Sequence, residues 1–183
     1  MITLTLNQAV NANDGTTGLG ASPGLVRLLT AGGGTISQGP AAIIVGGELD
    51  AESDFGDVVL TAANRVGAAD SDGIATIPGK LSGFSGGDFL FRNHNAGILV
   101  DTLSCGCKGI FSGANSTQGA FFGDIRLVTT GAGDIAVNQS LNSGNAIEIA
   151  VAPGYRFTTT RWTTTASAFC RPDSTPALPV RRS

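Results

Sequence analysis

The most reactive side chains in this sequence lie in the stretch Leu103–Gly109, LSCGCKG, which contains Cys105 and Cys107. With Cys170 and His94 these thiols make four potential ligands, the number that a structural zinc ion needs. Zinc-binding cysteine pairs usually have about two to four intervening residues, so the single glycine here disfavours a zinc site. On a strand, both thiols would point to one face. We expect two small buried residues or, in an oxidising compartment, a Cys105–Cys107 disulfide, and no metal or other cofactor.

A second candidate site is the acidic stretch 47–57, GELDAESDFGD. If it is a strand, Glu48, Asp50 and Glu52 line one face, because successive side chains point to opposite sides. Such a row of carboxylates is suited to binding a carbohydrate or a calcium ion, but it is more simply explained as a solvated outward face next to a loop. We expect no basic residue near these carboxylates to serve as the electrophilic partner that a polysaccharide lyase needs, so no catalytic role is predicted.

The stretch Gly83–Gly87, GFSGG, matches the G-x-S-x-G pattern of serine hydrolases. That chemistry requires Ser85 on a turn from a strand to a helix, followed later by an acid and a histidine. Here a strand-like run, DFLFR, follows directly, and the single histidine is His94. A chance match is the better interpretation in so glycine-rich a chain, and we predict no catalytic residue and no enzymatic activity.

The composition is unlike that of an ordinary enzyme. The 183 residues include 27 glycines, and only 14% are charged, against about 25% in typical proteins. The net charge is −3, and five of the eleven basic residues follow Gly154 without forming a tight patch. Binding to nucleic acid requires clustered lysine and arginine, so we predict none. The N-terminal MITLTLNQAV has no signal-peptide pattern, and no apolar run reaches the ~18 residues typical of a membrane span.

Short runs of alternating or continuous apolar residues dominate the chain, and no window shows the periodicity of an amphipathic helix. Glycine, asparagine, aspartate and serine separate these runs, as is typical of strands joined by turns. The sequence therefore predicts an all-β protein. The predicted strands are Ile2–Leu6, Leu25–Leu29, Ala42–Val45, Asp57–Thr61, Asp88–Arg92, Ile98–Thr102, Asp124–Thr129, Asp134–Asn138 and Ala146–Val151.

A recurring Gly-Asp phrase precedes several of these runs. It occurs at Gly56-Asp57, Gly87-Asp88, Gly123-Asp124 and Gly133-Asp134, with Gly144-Asn145 as a variant. The spacing is irregular but fits coils of roughly twenty or more residues with occasional insertions. The architecture we predict is a right-handed parallel β-helix, a solenoid of short strands with glycine, asparagine and aspartate at its corners. Stacked amides at such corners would form ladders, with Asn64, Asn95 and Asn138 as candidates.

Two stretches carry a resemblance to a known family. GTISQGPAAIIVGGELDAESDFGDVVLTAANRVG (Gly34–Gly67) and LSGFSGGDFLFRN (Leu81–Asn93) resemble the repeat region of filamentous-haemagglutinin-type exoproteins. The resemblance covers residues 1–157 and implies a right-handed β-helix from a two-partner-secreted or autotransported bacterial protein. It implies a secreted or cell-surface location, as part of a longer precursor. The Asn-Pro-Asn signature of that family's secretion domain is absent. The resemblance therefore implies that this chain is a stretch of the repetitive shaft and not the secretion domain.

The amino-acid composition changes after Gly154, beyond which no glycine occurs. Residues 158–183 have no repeat partner upstream and are rich in threonine, proline and arginine. We therefore divide the chain into a β-helix segment, 1–157, and a non-repetitive basic tail, 158–183. The tail is either disordered or a product of a shifted reading frame.

The function predicted from these features is a non-catalytic shaft segment of a large bacterial adhesin. Its expected partners are neighbouring coils of a longer chain or other copies of itself, together with glycans or cell-surface proteins. No nucleic acid binding and no membrane insertion by this segment are expected. Two alternatives stay open: a polysaccharide-degrading enzyme on a β-helix, which would need a carboxylate cluster with arginine or lysine on the same face, and a trimeric phage-type spike.

Overall fold

The computed structural model describes residues 3–12, 24–69, 75–113 and 122–159. These residues form sixteen strands and no helix, which confirms the all-β prediction. Each of the nine predicted runs overlaps a strand. The strands are β1 (Leu4–Leu6), β2 (Val10–Asn11), β3 (Leu25–Thr30), β4 (Ile36–Gln38), β5 (Ile44–Gly46), β6 (Glu48–Ser53), β7 (Val58–Ala69), β8 (Ala75–Ser85), β9 (Phe89–His94), β10 (Ile98–Val100), β11 (Ile110–Ser112), β12 (Ile125–Thr130), β13 (Ile135–Val137), β14 (Leu141–Ser143), β15 (Ile147–Ala150) and β16 (Phe157–Thr159).

Six strands pair side by side in parallel and form what we call row A: β1, β4, the start of β7, β9, β12 and β15. Their first residues fall in one column that points into the core. The column consists of Leu4, Ile36, Val58, Phe89, Ile125 and Ile147. The inner four are fully buried, and each buried side chain of this size contributes about 1.5–3 kcal/mol. Leu4 and Ile147 are only partly buried, because no further described strand covers them.

Two further rows complete the pairing. Row B consists of β2, β5 and the later part of β7. Row C begins with β3, β6 and β8, and β8 then pairs with two shorter strands, β10 along its middle and β11 along its end. Strands β13 and β14 continue these two branches, and β16 follows β13. Every one of these pairs is parallel.

One pair of described strands is antiparallel and makes the sheet mixed. It joins the end of β7 to the start of β8, with Gly67 opposite Pro78 and Ala69 opposite Ala75. The two strands therefore project as a local hairpin from the parallel rows. All sixteen strands belong to one hydrogen-bonded network.

The core between the rows depends on matching large and small side chains. Gly83 of β8 faces inward beneath Phe89 of β9, and a Cβ atom at Gly83 would overlap the phenyl ring. In the register of row C, Ala51 and Ile110 flank Gly83 on either side. The glycine is therefore required by the packing of Phe89, which is fully buried.

The repeated Gly-Asp phrase forms a ladder of hydrogen bonds at the corner that leads into row A. Asp57 Oδ1 accepts a hydrogen bond from the backbone N–H of Asp88 at 2.9 Å, and Asp88 Oδ1 accepts one from Asp124 at 2.9 Å. Asp124 Oδ1 continues the ladder by accepting from the N–H of Ala146 at 3.0 Å and the side chain of Asn145 at 2.8 Å. Each carboxylate thus satisfies a backbone donor of the next segment, and the phrase acts as a structural link.

A column of hydroxyl groups lies at the end of row C, one turn before the Gly-Asp corner. Its members share one register position and are Ser53, Ser85, Ser112 and Ser143. Each donates to the backbone carbonyl of a glycine at the corner: Ser53 to Gly34 at 2.6 Å, Ser85 to Gly87 at 2.8 Å, and both Ser112 and Ser143 to Gly123 at 3.0 and 2.6 Å. These bonds add a side-chain donor to the corner carbonyls, of which Gly87 O and Gly123 O also accept from the backbone N–H groups of Gly113 and Asn145.

The predicted asparagine ladder is correct for Asn64 and wrong for its partners. Asn64 is aligned with Asn93, and both are fully buried where row A turns towards the next strand. Asn93 Oδ1 accepts from Val66 N at 2.9 Å, while its Nδ2 donates to the carbonyls of Val66 and Gly97 at 2.8 and 3.0 Å. The amide therefore replaces three backbone contacts at the bend.

The other two candidates have different roles. Asn95 lies in a turn with a left-handed φ of 54°, which asparagine tolerates better than most residues. Asn138 is exposed, and its Nδ2 donates to Asp101 Oδ2 at 3.3 Å. Neither is part of the buried column.

The predicted tail 158–183 lies almost wholly outside the described residues. Its first two residues belong to β16, which pairs with β13 in parallel, so strand structure extends slightly beyond the predicted boundary at 157. Cys170 also lies outside the described part of the chain.

Replacing Asn93 by alanine should lower the free energy of unfolding by roughly 3 kcal/mol, because the buried Val66 N–H would lose its acceptor and two carbonyls would lose a donor. Urea denaturation followed by circular dichroism measures the change. Asn142→Ala is the matched control, since this half-buried side chain makes no hydrogen bond within the described residues. It should change stability by no more than about 0.5 kcal/mol. Equal losses in both variants would contradict the role of the amide.

Candidate functional site

The three carboxylates predicted as a row lie on the outward face of β6, and we call Glu48, Asp50 and Glu52 the acidic row. The parallel register of row C sets Arg27 of β3 beside Asp50, and Lys80 of β8 beside Glu48. The expectation that no basic residue lies near them is therefore wrong. The basic partners come from neighbouring strands that are distant in sequence.

Asp50 is the centre of this group and is fully buried. Its Oδ2 lies 2.9 Å from Arg27 Nη2 and accepts a hydrogen bond from Arg27 Nε at 3.0 Å, while its Oδ1 accepts from Ser82 Oγ at 2.7 Å. Burial disfavours the charge on Arg27, but the hydrogen bond and the charge of Asp50 outweigh it and raise the pKa of Arg27. The pair is an internal ion pair with both oxygens of the carboxylate satisfied.

Glu48 has different partners, at the edge of the same group. Its Oε1 lies 3.4 Å from Lys80 Nζ, and its Oε2 accepts hydrogen bonds from the backbone N and the Oγ of Ser104 at 2.7 and 2.6 Å. Burial opposes ionisation of Glu48, but the two bonds from Ser104 and the Lys80 ammonium together hold its pKa below the ordinary value. The bonds from Ser104 fasten a loop to the acidic row.

That loop, residues 101–109 between β10 and β11, contains both cysteines, and we call it the thiol loop. It is not a strand: Gly106 N donates to Leu103 O at 2.9 Å, and Gly106 has a φ of 83°, which turns the chain back. Cys107 is buried, Cys105 is half-buried, and no disulfide joins them in this structure. The expectation that the two side chains point to one face of a strand therefore fails.

The turn brings the thiols to the acidic row. The ligand atoms of Asp50, Cys105 and Cys107 all lie within 4.8 Å of one another. Arg27 Nη2 also contacts Cys107 Sγ at 3.8 Å. The Arg27 guanidinium thus contacts both a carboxylate of β6 and a thiol of the loop. These groups are far apart in the sequence.

Glu52 completes the group. It lies two residues after Asp50 on β6 and on the same face. Its Oε1 lies 3.5 Å from Arg27 Nη2 and is a buried oxygen that has no hydrogen-bond donor among the described residues. Burial first, and then the neighbouring charge of Asp50, raise the pKa of Glu52 to about 8. The solvated-face interpretation of the acidic row is therefore incorrect for Asp50 and Glu52, because the residues around them exclude water.

The other predicted chemical candidates do not come together. Ser85 is fully buried at the end of β8, where it donates to the Gly87 carbonyl and has no strand-to-helix turn behind it. His94 Nδ1 pairs with Thr130 Oγ1 at 3.0 Å, at the end of row A. The geometry that a serine hydrolase requires is not present at these residues.

Four members of the site are not evident from the sequence motifs: Arg27, Lys80, Ser82 and Ser104. A signal for the first three exists in the alternating runs LVR, ELD and KLS, which begin β3, β6 and the paired part of β8. Aligning their central leucine or valine on the core puts the third residue of each run in one outward column, which contains Arg27 and Ser82. The same alignment puts Lys80 beside Glu48, because each is the first residue of its run. Ser104 has no such signal, because its position depends on the turn of the thiol loop.

Comparison of the chain with models of protein families, with curated proteins and with solved structures gives no match. Within the described ranges there is no helix, and hence no apolar helix of the length required to span a membrane.

The raised pKa of Glu52 predicts that the protein loses stability as the pH rises from about 4.5, the ordinary value, to about 8. In this range the unfolded chain has released a proton that the folded chain retains, so the slope is negative and at most about 1.4 kcal/mol per pH unit. Urea denaturation across this range, with a chelator present, measures it. The matched variant Glu52→Gln keeps the shape but cannot ionise, and it should lose this slope. The same slope in both proteins would show that Glu52 is not the titrating group.

Proposed function

We propose that this chain is a non-catalytic shaft segment of an elongated, secreted or surface-exposed bacterial protein of the adhesin type, folded as a right-handed parallel β-helix. The observation that carries the proposal is the continuous parallel register of row A, in which six strands follow one another in chain order. Each return of the chain to this row adds one strand to the stack, as one coil of a solenoid does.

The side-chain ladders support the same architecture. Asp57, Asp88 and Asp124 stack at one corner, and the serine column stacks at another, although the spacing between these residues in the sequence is irregular. Extra residues such as the thiol loop leave the rows without disturbing the register. Solenoids tolerate insertions in this way, because each coil contacts only its neighbours.

The pairing of charges in the acidic row argues against the alternative of a polysaccharide-degrading enzyme. A basic residue does lie on the same face, as that alternative requires. Asp50, however, is fully buried beneath its neighbours, and both of its oxygens are engaged by Arg27 and Ser82. A polymeric substrate needs an accessible acid or base, so these charges are better explained as structural ion pairs.

The two ends of the parallel rows support end-to-end association. At one end β1 and β3 each pair with a single described strand, and at the other end β14 and β15 do the same. Several core residues of the end strands β1 and β15 are only partly buried, as Leu4 and Ile147 illustrate. A strand edge with free backbone groups is a template for further pairing. Neighbouring coils of a longer chain, or a second copy stacked head to tail, would cover both ends.

The adhesive role rests on the resemblance of Gly34–Gly67 and Leu81–Asn93 to haemagglutinin-type repeats. Glycans or cell-surface proteins are the partners that this resemblance implies, and the long outer faces of the rows would be the surface that meets them.

Thr5 is the position at which the end-to-end proposal can be tested without disturbing the core. Leu4 N donates to Thr35 O at 3.0 Å, and Leu6 O accepts from Gly39 N at 2.9 Å, so both residues direct their backbone groups to β4. Alternate residues of a parallel strand bond to opposite neighbours. The N–H and C=O of Thr5 therefore point to the open edge, and its side chain is exposed.

We expect the purified protein to form head-to-tail assemblies whose mass in light scattering rises with concentration. Thr5→Pro should shift the distribution to monomer, because proline removes the donor at the open edge and is tolerated on edge strands. Thr5→Ala is the matched control: it removes the contact of Thr5 Oγ1 with Ser37 Oγ but keeps the backbone donor, and it should assemble like the unaltered protein.

Three results would contradict the proposal. A monomer at every concentration would rule out assembly, and equal assembly by the proline and alanine variants would rule out this edge. A fixed mass of three chains, independent of concentration, would favour the trimeric spike instead.

A further inference from the structure

We propose that the thiol loop and β6 together form a binding site for a divalent transition-metal ion of the zinc class, with Cys105, Cys107 and Asp50 as ligands and Glu52 as the fourth. The site would be structural, and it would fasten the loop to the outer face of row C. The single residue between the cysteines disfavours a zinc site formed by that motif alone. In the structure the additional ligands, Asp50 and Glu52, come from β6.

The first observation is the convergence of the ligand atoms. One oxygen of Asp50 and the sulfur atoms of Cys105 and Cys107 lie within 4.8 Å of one another. Zinc binds thiolate sulfur at about 2.3 Å and carboxylate oxygen at about 2.0–2.2 Å. An ion with these bond lengths fits among the three atoms after small side-chain rotations. The turn at Gly106 that brings the thiols together has a φ of 83°, which glycine adopts without strain.

The second observation is independent of the first and concerns Glu52. This residue is only 8% exposed, and its Oε1 is buried without a hydrogen-bond donor among the described residues. The same oxygen lies 3.5 Å from Arg27 Nη2, and this nitrogen is 2.9 Å from Asp50 Oδ2 and 3.8 Å from Cys107 Sγ. Glu52, Asp50 and Cys107 thus lie around one positively charged guanidinium nitrogen. Glu52 is not among the groups whose ligand atoms lie within 4.8 Å of one another, so it would reach an ion held by the other three ligands only after its side chain turns.

Arg27 must turn aside when a metal ion enters, and its surroundings allow this. About a third of its side chain is exposed (31%), so the guanidinium has a path to solvent. Two thiolates and two carboxylates carry four negative charges, which exceed the charge of a divalent ion. A guanidinium that stays nearby would offset part of the excess, as the outer partners of buried metal centres do.

The chemical class of the ion follows from the ligands. Thiolates select soft or borderline ions such as zinc, whereas calcium and magnesium require oxygen donors alone. Binding replaces the protons of both thiols with the metal, so protons are released as the ion enters. No oxidation is involved, and the thiols must be reduced.

The test uses the full chain with Cys170→Ser, reduced and freed of metal with a chelator that is then removed. Titration with zinc chloride in a calorimeter should give one ion per chain. Titration with cobalt(II) should give the charge-transfer and visible bands of a tetrahedral thiolate complex. Absence of both signals in folded protein, as judged by circular dichroism, would overturn the proposal.

Variants in the same background assign the ligands. Cys105→Ser is the informative change, because Cys105 is only half-buried and the buried Cys107 is left in place. It should weaken zinc binding by on the order of 100-fold, and Glu52→Gln by on the order of 10-fold. His94→Ala is the control and should bind as before, since His94 pairs with Thr130 at the end of row A.

Unchanged affinity in Cys105→Ser would overturn the site, and loss of binding in His94→Ala would place the metal elsewhere. Unchanged affinity in Glu52→Gln would contradict the assignment of the fourth ligand. Each comparison is valid only for variants whose circular dichroism spectrum matches that of the parent protein, and Glu52→Gln provides a second folded variant if Cys105→Ser does not fold.

Discussion

The structure depends on one constraint: every time the chain leaves a parallel strand and turns a corner, backbone donors and acceptors lose their partners and must find others. Buried backbone groups are almost always paired, because leaving one unpaired costs about 1–3 kcal/mol. This chain meets the requirement with short side chains at fixed register positions. Asp88 and Asp124 donate their backbone N–H groups to the aspartate one segment earlier, and Ser85 and Ser112 return hydrogen bonds to carbonyl groups of the next turn. The same corners hold successive strands at the spacing that lets Val58, Phe89 and Ile125 stack in the core.

The register that builds the core also builds the charged cluster on its outside. Because side chains alternate along a strand, the neighbours that keep Leu49 and Leu81 inward necessarily align Asp50 with Arg27 on one side and Ser82 on the other. On an open surface such an ion pair contributes little. Here the thiol loop lies over it, anchored by Ser104 on Glu48, and the desolvated charges then depend on one another. Removal of one partner from a buried pair is far more damaging than removal of both, which makes the cluster a strongly coupled unit.

The limits of prediction can be seen in particular residues. The Gly-Asp phrase was recognised as structural from its repetition, and Asn64 was recognised as a corner amide, but its partner is Asn93 and not Asn95 or Asn138. Sequence spacing misidentified the partner because β7 continues without a break through a bend at which the register shifts, between Leu60 and Asn64. The acidic row was predicted as one face of a strand, which is correct. Its surroundings were not, because Arg27 and Lys80 are 23 and 32 positions away from their partners Asp50 and Glu48 in the sequence, and only pairing between strands brings them near.

The sequence by itself determined the all-β character and the positions of nine strands, because alternation of apolar residues and the turn preferences of glycine, asparagine and aspartate are local properties. It also determined that Glu48, Asp50 and Glu52 share a face, since that follows from the pleat of a single strand. Only the tertiary structure decided which strands are neighbours and which loop covers them. The thiols of Cys105 and Cys107 meet Asp50 because a turn at Gly106 folds residues 101–109 onto a strand more than fifty positions earlier. Contacts of that range depend on the register of the whole stack, and no short stretch of residues encodes it.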